Sequence, residues 1–420
     1  MNYLDFIISS QKFSQPRGVT SVCSAHPFVL EATLRHGLAH HAPVLIEATC
    51  NQVNQFGGYT GMTAENFVQY VGEIADKLGF PREQLILGGD HLGPLVWSGE
   101  PAAVAMDKAK TLVRDYVKAG FTKIHLDCSM PCADDREFPP ELVPQRAAEL
   151  AQVAEAALGS QQPAPRYVIG TEVPPAGGAK AGENHLTVTN PADAAQTIEL
   201  TRQAFAARGL ASAWERVIAL VVQPGVEFGD DSVHEYDRPA AAGLARFIET
   251  VPGLIYEAHS TDYQTAAALR ALVEDHFGIL KVGPWLTFAF REGVFALAEI
   301  EKTLCEAPSG IRDTLEGAML TNPAHWKKHY GGNEQAQKLA RSFSFSDRIR
   351  YYWSTPETQA TFENLMRNLG DKALPLTLVS QHLPQQYEKI RSGALENHPR
   401  ALLLDRVSAV LDEYAFACGI

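Results

Sequence analysis

The chain has 420 residues, 45% of them hydrophobic and 20% charged, so it can bury a large core and is too apolar to be disordered. Its formal charge of −13 argues against a nucleic-acid surface, which needs clustered Lys and Arg, but leaves room for a small phosphate held by one basic side chain and a few backbone N–H groups. No apolar run approaches the roughly 18 residues that cross a bilayer, and Met1–Phe13, with Asp5 and neither a basic start nor a cleavage site after it, does not read as a signal peptide.

In chain order, short β-branched runs alternate with longer stretches of helical period, which predicts βαβ units and a parallel sheet. The expected strands are Gly18–Ala25, Pro43–Cys50, Leu85–His91, Lys123–Met130, Arg166–Val173, Val217–Gly225, Leu254–Thr261 and Ile279–Trp285. Helical stretches such as Thr63–Leu78, Ala102–Ala119, Glu141–Leu158, Ala192–Ala207 and Arg238–Val251 lie between them. Eight such units suit a closed (β/α)8 TIM barrel over residues 1–305 better than an open doubly wound sheet. Beyond Cys305 the text becomes Pro-punctuated and mainly helical, so residues 306–420 are expected to form a C-terminal helical extension packed on the barrel. The Gly/Pro-rich segment Val173–Gly182 follows a strand and reads as an active-site loop or a plain surface loop. Six scattered cysteines, with no zinc-ribbon spacing, fit reduced thiols in the cytoplasm.

Barrel sites form at the carboxyl ends of the strands, and nearly every expected strand here ends in polar residues. These are Glu47, Asp90-His91, His125 with Asp127, Glu172, Gln223, Glu257 with His259 and Ser260, and Lys281. Alternation along a strand puts His125 on one face with Asp127, and Glu257 with His259. A buried carboxylate needs a partner, such as Lys281, Lys123 or a metal ion. Lys281 can equally serve only to neutralise Glu257 or Glu47, and His125 or Glu257 alone would ordinarily be structural. His91, Glu172 and His259 offer the nitrogen and oxygen donors that a divalent cation takes, with Zn, Mn and Mg all open. Ser260, Thr261 and Gly283, the last opening a helix, mark the place where barrels often hold phosphate, or else a turn and an N-cap. Arg348 and Arg350 from the tail could reach a sugar phosphate, or pair with Asp347 in packing.

Several long motifs resemble one family: CSAHPFVLEA from Cys23, LIEATCNQVNQFGGYTGMT from Leu45, ILGGDHLGP from Ile86, KIHLDCSM from Lys123, YVIGTEVP from Tyr167, VVQPGVEF from Val221, YEAHSTDYQT from Tyr256, LKVGPWLTFAFRE from Leu280 and SFSDRIRYYW from Ser344. They are similar to the GatZ/KbaZ family, the so-called non-catalytic subunit of class II tagatose-1,6-bisphosphate aldolase, from about Val22 to the C-terminus. The resemblance implies a place in tagatose and galactitol breakdown and a ketose or ketose-phosphate ligand. It also implies either a metal-dependent C4 epimerase interconverting tagatose and fructose skeletons, chiefly as 6-phosphates, or a subunit that activates and stabilises a class II aldolase catalytic chain. A sugar-binding sensor is a remote third reading, and homo-oligomerisation stays open. An older kinase label finds no G-x-x-x-x-G-K-[ST] loop here. Asp90-His91 is similar to the Asp-His pair of catalytic class II aldolases, and His259-Ser260 to their later metal and phosphate stretch. Gln223 stands where those enzymes place another metal histidine, which puts a three-histidine site in doubt. The resemblance thus makes Asp90 the base, Asp127 or Glu47 the second acid–base group, and His91, Glu172 and His259 the metal ligands.

Overall fold

A computed structural model describes residues 2–13, 15–159, 163–171, 186–370 and 372–420. Eight parallel strands close into a barrel: β1 (Val19–Val22), β2 (Val44–Thr49), β3 (Leu85–Leu92), β4 (Lys123–Leu126), β5 (Arg166–Gly170), β6 (Val217–Val221), β7 (Ile255–Ala258) and β8 (Phe277–Val282). Closure runs from β8 to β1, where Ser21 lies opposite Lys281 on one side and Leu45 on the other. Several strands end earlier than the sequence suggests, among them the first at Val22, the fourth at Leu126, the sixth at Val221 and the seventh at Ala258. Trp285, expected on the last strand, belongs to the helix Pro284–Leu304.

Period-two alternation sorts the strand side chains. Ile46, Ala48, Ile124 and Leu126 face outward and join the shell of helices in one apolar core. The other face points inward, and its lower layer is apolar: Val19, Leu45, Val168, Ile255 and Ile279 pack with Leu4 and Ile7. Those last two come from a helix, Tyr3–Lys12, that plugs the floor of the barrel. Its docking is polar as well as apolar. Arg166 forks onto the Asp5 carboxylate at 2.8 and 2.6 Å, and Gln11 Nε2 donates to Val273 O at 2.9 Å.

Helix ends follow their local chemistry. Thr63 and Asn66 close a capping box at the start of Ala64–Leu78, and Gly79 ends that helix at φ 69°, a conformation in which a side chain would be strained. A two-stranded ribbon, Glu227–Phe228 with Val233–His234, follows β6 and was not expected from the pattern.

Beyond Leu304 the chain is helical: Ile311–Thr321, Glu334–Phe343, Pro356–Leu369, Leu376–His382, Pro384–Arg391 and Pro399–Cys418. The final helix lies against Pro27–His40, Ala266–Glu274 and Pro284–Leu304, and its Leu402, Val407 and Leu411 share the barrel's outer core. A 3-10 turn, Arg348–Tyr352, carries the tail over the barrel mouth. All six cysteines are free thiols, and among the described residues no helix is long and apolar enough to cross a membrane. The loop Val173–Gly182 and Glu172 lie outside the described residues.

Candidate active site

Two residues above the apolar floor, the inward faces become charged. Lys123 Nζ stands 2.7 Å from Glu47 Oε1 and 2.6 Å from Glu257 Oε2, and all three side chains are 0% exposed. Lys281 Nζ lies 2.7 Å from Glu47 Oε2 and 2.9 Å from Asp90 Oδ2. Ser21 Oγ donates to Glu47 Oε1 at 2.7 Å. Room for Glu47 comes from Gly88 on the neighbouring strand, where an added Cβ would sit 2.7 Å from Glu47 Cγ. Charges at this depth survive only as a paired set, since each alone would cost several kcal/mol.

Above this layer three imidazoles converge, with ring centroids 5.0 to 5.3 Å apart: His91, His125 and His259. Each has one ring nitrogen on a carboxylate. His125 Nδ1 meets Asp90 Oδ1 at 2.9 Å, His91 Nδ1 meets Asp127 Oδ2 at 2.8 Å, and His259 Nε2 meets Glu257 Oε1 at 2.9 Å. Such partners fix tautomer and ring orientation and leave the second nitrogen as a donor, the arrangement metal-binding histidines show. Asp127 is itself anchored by Ser129 N and Oγ, at 3.0 and 2.6 Å.

Electrostatics follow from this packing. Burial alone would raise the Asp90 carboxyl, but His91 and Lys281 beside it hold it well below the usual carboxylate range. Against the same burial, Lys123 and Lys281 hold Glu257 low, and the hydrogen bond from His91 holds Asp127 low. The two carboxylates Asp90 and Asp127 raise His91 in spite of burial, whereas burial wins at His259 and pushes it down to about 4.

The residues fit a divalent cation. Asp90, His125, Glu257 and His259 each bring one ligating atom within 4.8 Å of the others, all buried. His125 Nε2 is buried with no hydrogen-bond partner among the described residues. Three carboxylates, Glu47, Glu257 and Asp90, face two ammonium groups, so the cluster carries spare negative charge. Mixed nitrogen and oxygen donors suit Zn or Mn better than the all-oxygen shell of Mg.

The cluster forms the floor of a cavity of about 660 Å³, the size of a small-ligand pocket. Asp90, His91, His259, Ser260 and Lys281 line it, while Asp127 and Glu47 lie behind them. His91 and Ser260 both sit at positive φ, 50° and 53°, a conformation that costs a non-glycine residue about 1–2 kcal/mol and turns each side chain to the mouth.

Other expected contacts are differently disposed. The Thr261 hydroxyl bonds to Lys281 O at 2.6 Å and to Tyr414 Oη at 2.9 Å, bracing the final helix. The amides of Gly283 and Trp285 donate to Asp262 Oδ1 at 3.0 and 2.8 Å. Arg348 is buried and donates to His325 O, and it is Arg350 that lines the cavity. Glu172 has no described position. Sequence reasoning gave His125 a structural role, although its spacing from Asp127 was the available signal. Asp262 carried no signal beyond its place two residues after Ser260.

Residues 4–419 match the family described as D-tagatose-1,6-bisphosphate aldolase subunit GatZ/KbaZ-like. A protein from Sinorhizobium meliloti 1021, described as a "probable tagatose 6 phosphate kinase", has a crystal structure with 47% identity and a TM-score of 0.88; the match covers 96% of this chain and 100% of that one. The YdjI aldolase of Escherichia coli K12 aligns at 11% identity and TM-score 0.42, over 84% of this chain and 98% of its own. The fructose-bisphosphate aldolase of Campylobacter jejuni aligns at 14% and 0.46, over 88% and 92%. The chain therefore belongs to the GatZ/KbaZ-like family of tagatose-bisphosphate aldolase subunits.

Proposed function

We propose that the chain serves class II tagatose-1,6-bisphosphate aldolase as the subunit that activates and stabilises its catalytic chain. The observation that carries this reading is the family match over nearly the whole length. Co-expression with a class II aldolase catalytic chain tests it: a stable complex with several-fold higher aldolase activity is expected, and unchanged activity with no complex would sink it.

A second reading is favoured by the buried His–carboxylate cluster under a ligand-sized cavity, which a scaffold alone does not need. On this reading the chain is a C4 epimerase for tagatose and fructose skeletons, as free sugars or 6-phosphates. A 2-ketose with a hydroxyl on C4 is a β-hydroxy ketone. Removal of the O4 proton breaks the C3–C4 bond and leaves a three-carbon enediolate and an aldehyde. Rotation of the aldehyde, bond formation on its other face and return of the proton to O4 invert C4 with every atom conserved. Asp90, ionised and lining the cavity, is the proton acceptor, and His91, held by Asp127, is placed for the second transfer. His125, His259 and Glu257 would hold a divalent cation, which would supply Lewis-acid stabilisation of charge on the ketose oxygens and leave Asp90 to the O4 proton. Lys281 keeps Asp90 ionised and oriented.

Carbon-13 NMR of the isolated chain with fructose 6-phosphate and tagatose 6-phosphate, with chelator or with added Mn²⁺ or Zn²⁺, separates the two. Metal-dependent interconversion that drops about 10²–10⁴-fold in Asp90→Asn would establish the epimerase. Absence of turnover under every condition leaves the subunit role alone. The chain has no P-loop motif to support phosphoryl transfer from a nucleotide.

A further inference from the structure

The helix that opens after β8 is the usual phosphate cradle of a barrel, and here its donors are already engaged. Asp262 Oδ1 accepts from the amides of both Gly283 and Trp285, and the side chain is 2% exposed. Any phosphate placed there would have to displace a carboxylate of the same chain or lie against it. Burial pushes that carboxyl up to about 6, so it is largely charged at neutral pH and opposes a second anion.

On the tail side of the cavity the opposite situation holds. Arg350 lines the pocket together with Tyr351 and Trp353. Its guanidinium donates to Ser346 O, to Asp347 O at 3.1 Å and to Tyr351 Oη at 2.9 Å, with Tyr59 beside it. Among the described residues no carboxylate stands within 4.0 Å of it. The Asp347 carboxylate is engaged with Thr287 at 2.6 Å and Arg291 at 2.8 Å, and Asp262 with its two amides. Two neutral phenols and main-chain carbonyls fix the guanidinium, and Asp347 and Asp262 act on it only through space, without an ion pair. An always-charged, planar donor in a partly desolvated pocket recognises an oxyanion.

We infer that Arg350 is the anion-selecting residue of this site: it takes the phosphate ester or carboxylate at the far end of a ketose, while Asp262 bars that anion from the strand-eight helix. The inference rests on the ketose-binding reading above and names its substrate class, an anionic ketose. It also makes the tail part of the binding site.

Isothermal titration of the Mn²⁺-loaded chain tests it with fructose 6-phosphate, a keto-hexuronate, neutral fructose and inorganic phosphate. Arg350→Gln is expected to weaken fructose 6-phosphate or the uronate at least tenfold more than fructose, and to weaken inorganic phosphate likewise. Whichever of the two anionic sugars binds wild type more tightly identifies the anion source. Arg350→Lys, which keeps the charge, should recover part of the preference, and an unchanged melting temperature shows that both variants fold. Equal loss for charged and neutral ligands would overturn the inference, as would a preference that moves with Asp262→Ala and not with Arg350→Gln. If no ketose binds but inorganic phosphate does so through Arg350, the ketose reading fails and the anion site stands. Inorganic phosphate that binds the Gln variant as tightly as wild type overturns the site whatever the sugars do.

Discussion

In the lower half of the barrel interior Val19, Leu45, Ile255 and Ile279 form a dry layer against the N-terminal helix. Two residues further along the same four strands stand Ser21, Glu47, Glu257 and Lys281, joined by ion pairs and a hydrogen bond. The backbone is the same and the pleat is the same, so the difference lies only in side-chain chemistry and distance from the mouth. The lower layer gains its stability from apolar burial and can be perturbed one residue at a time. The upper layer is interdependent, because each charge is tolerated only while its partners remain.

Breaking the upper layer should cost most. Lys123→Met leaves Glu47 and Glu257 without their shared cation and is expected to lower stability by about 3–5 kcal/mol in chemical denaturation. A loss below about 1 kcal/mol would mean that Lys281 alone sustains the set. Ile7→Ala, a cavity in the dry layer, should cost about 2–5 kcal/mol and leave metal content unchanged, which equilibrium dialysis with Mn²⁺ would check. Changed metal content would show that the two layers are coupled.

Asp127→Asn acts on neither layer directly. It removes the carboxylate that holds His91, the group placed for the second proton transfer, and is expected to lower turnover by about 10²-fold with metal affinity, read by calorimetric titration, unchanged and a smaller change in stability. The smallest effect is the one with pH. Asp127 and Glu257 titrate lower in the folded chain than in the unfolded one. Their contribution is therefore full above the unfolded values near about 4 and is lost as pH falls through the folded values. Denaturation curves from pH 7 to pH 3 should show wild type and Asp127→Asn converging in acid. A gap that widens on acidification would contradict the sign.

Much of the barrel was legible because its signal is local. Strands such as Val44–Thr49 carry β-branched residues at outward positions, and the intervening helices show their period and caps in sequence. Polar strand ends also announced a site, since charges on an otherwise apolar strand need an explanation. What sequence could not supply was pairing across the barrel. Lys123 bridges Glu47 and Glu257, which lie on strands apart in the chain, and His125 acquires its role from Asp90 on β3. The helix Tyr3–Lys12 was weighed only as a leader, because ten residues show too little period to reveal what they will cover. Arg348 and Arg350 are two apart in a 3-10 turn, and only the turn's orientation decides which one meets the cavity.

The bond between Thr261 and Tyr414 has a consequence for how the molecule is made. A ribosome delivers roughly 5–20 residues each second, so the eight strands are available to pair well before residues 350 and 414 emerge. Until then the mouth lacks Arg350, Tyr351 and Trp353, and Thr261 lacks the phenol that braces it. The strands can thus pair around the buried charges before the residues that cover the cavity exist. The barrel's outer core is likewise unfinished until Leu402, Val407 and Leu411 arrive, so the order of synthesis runs from the floor of the site to its roof.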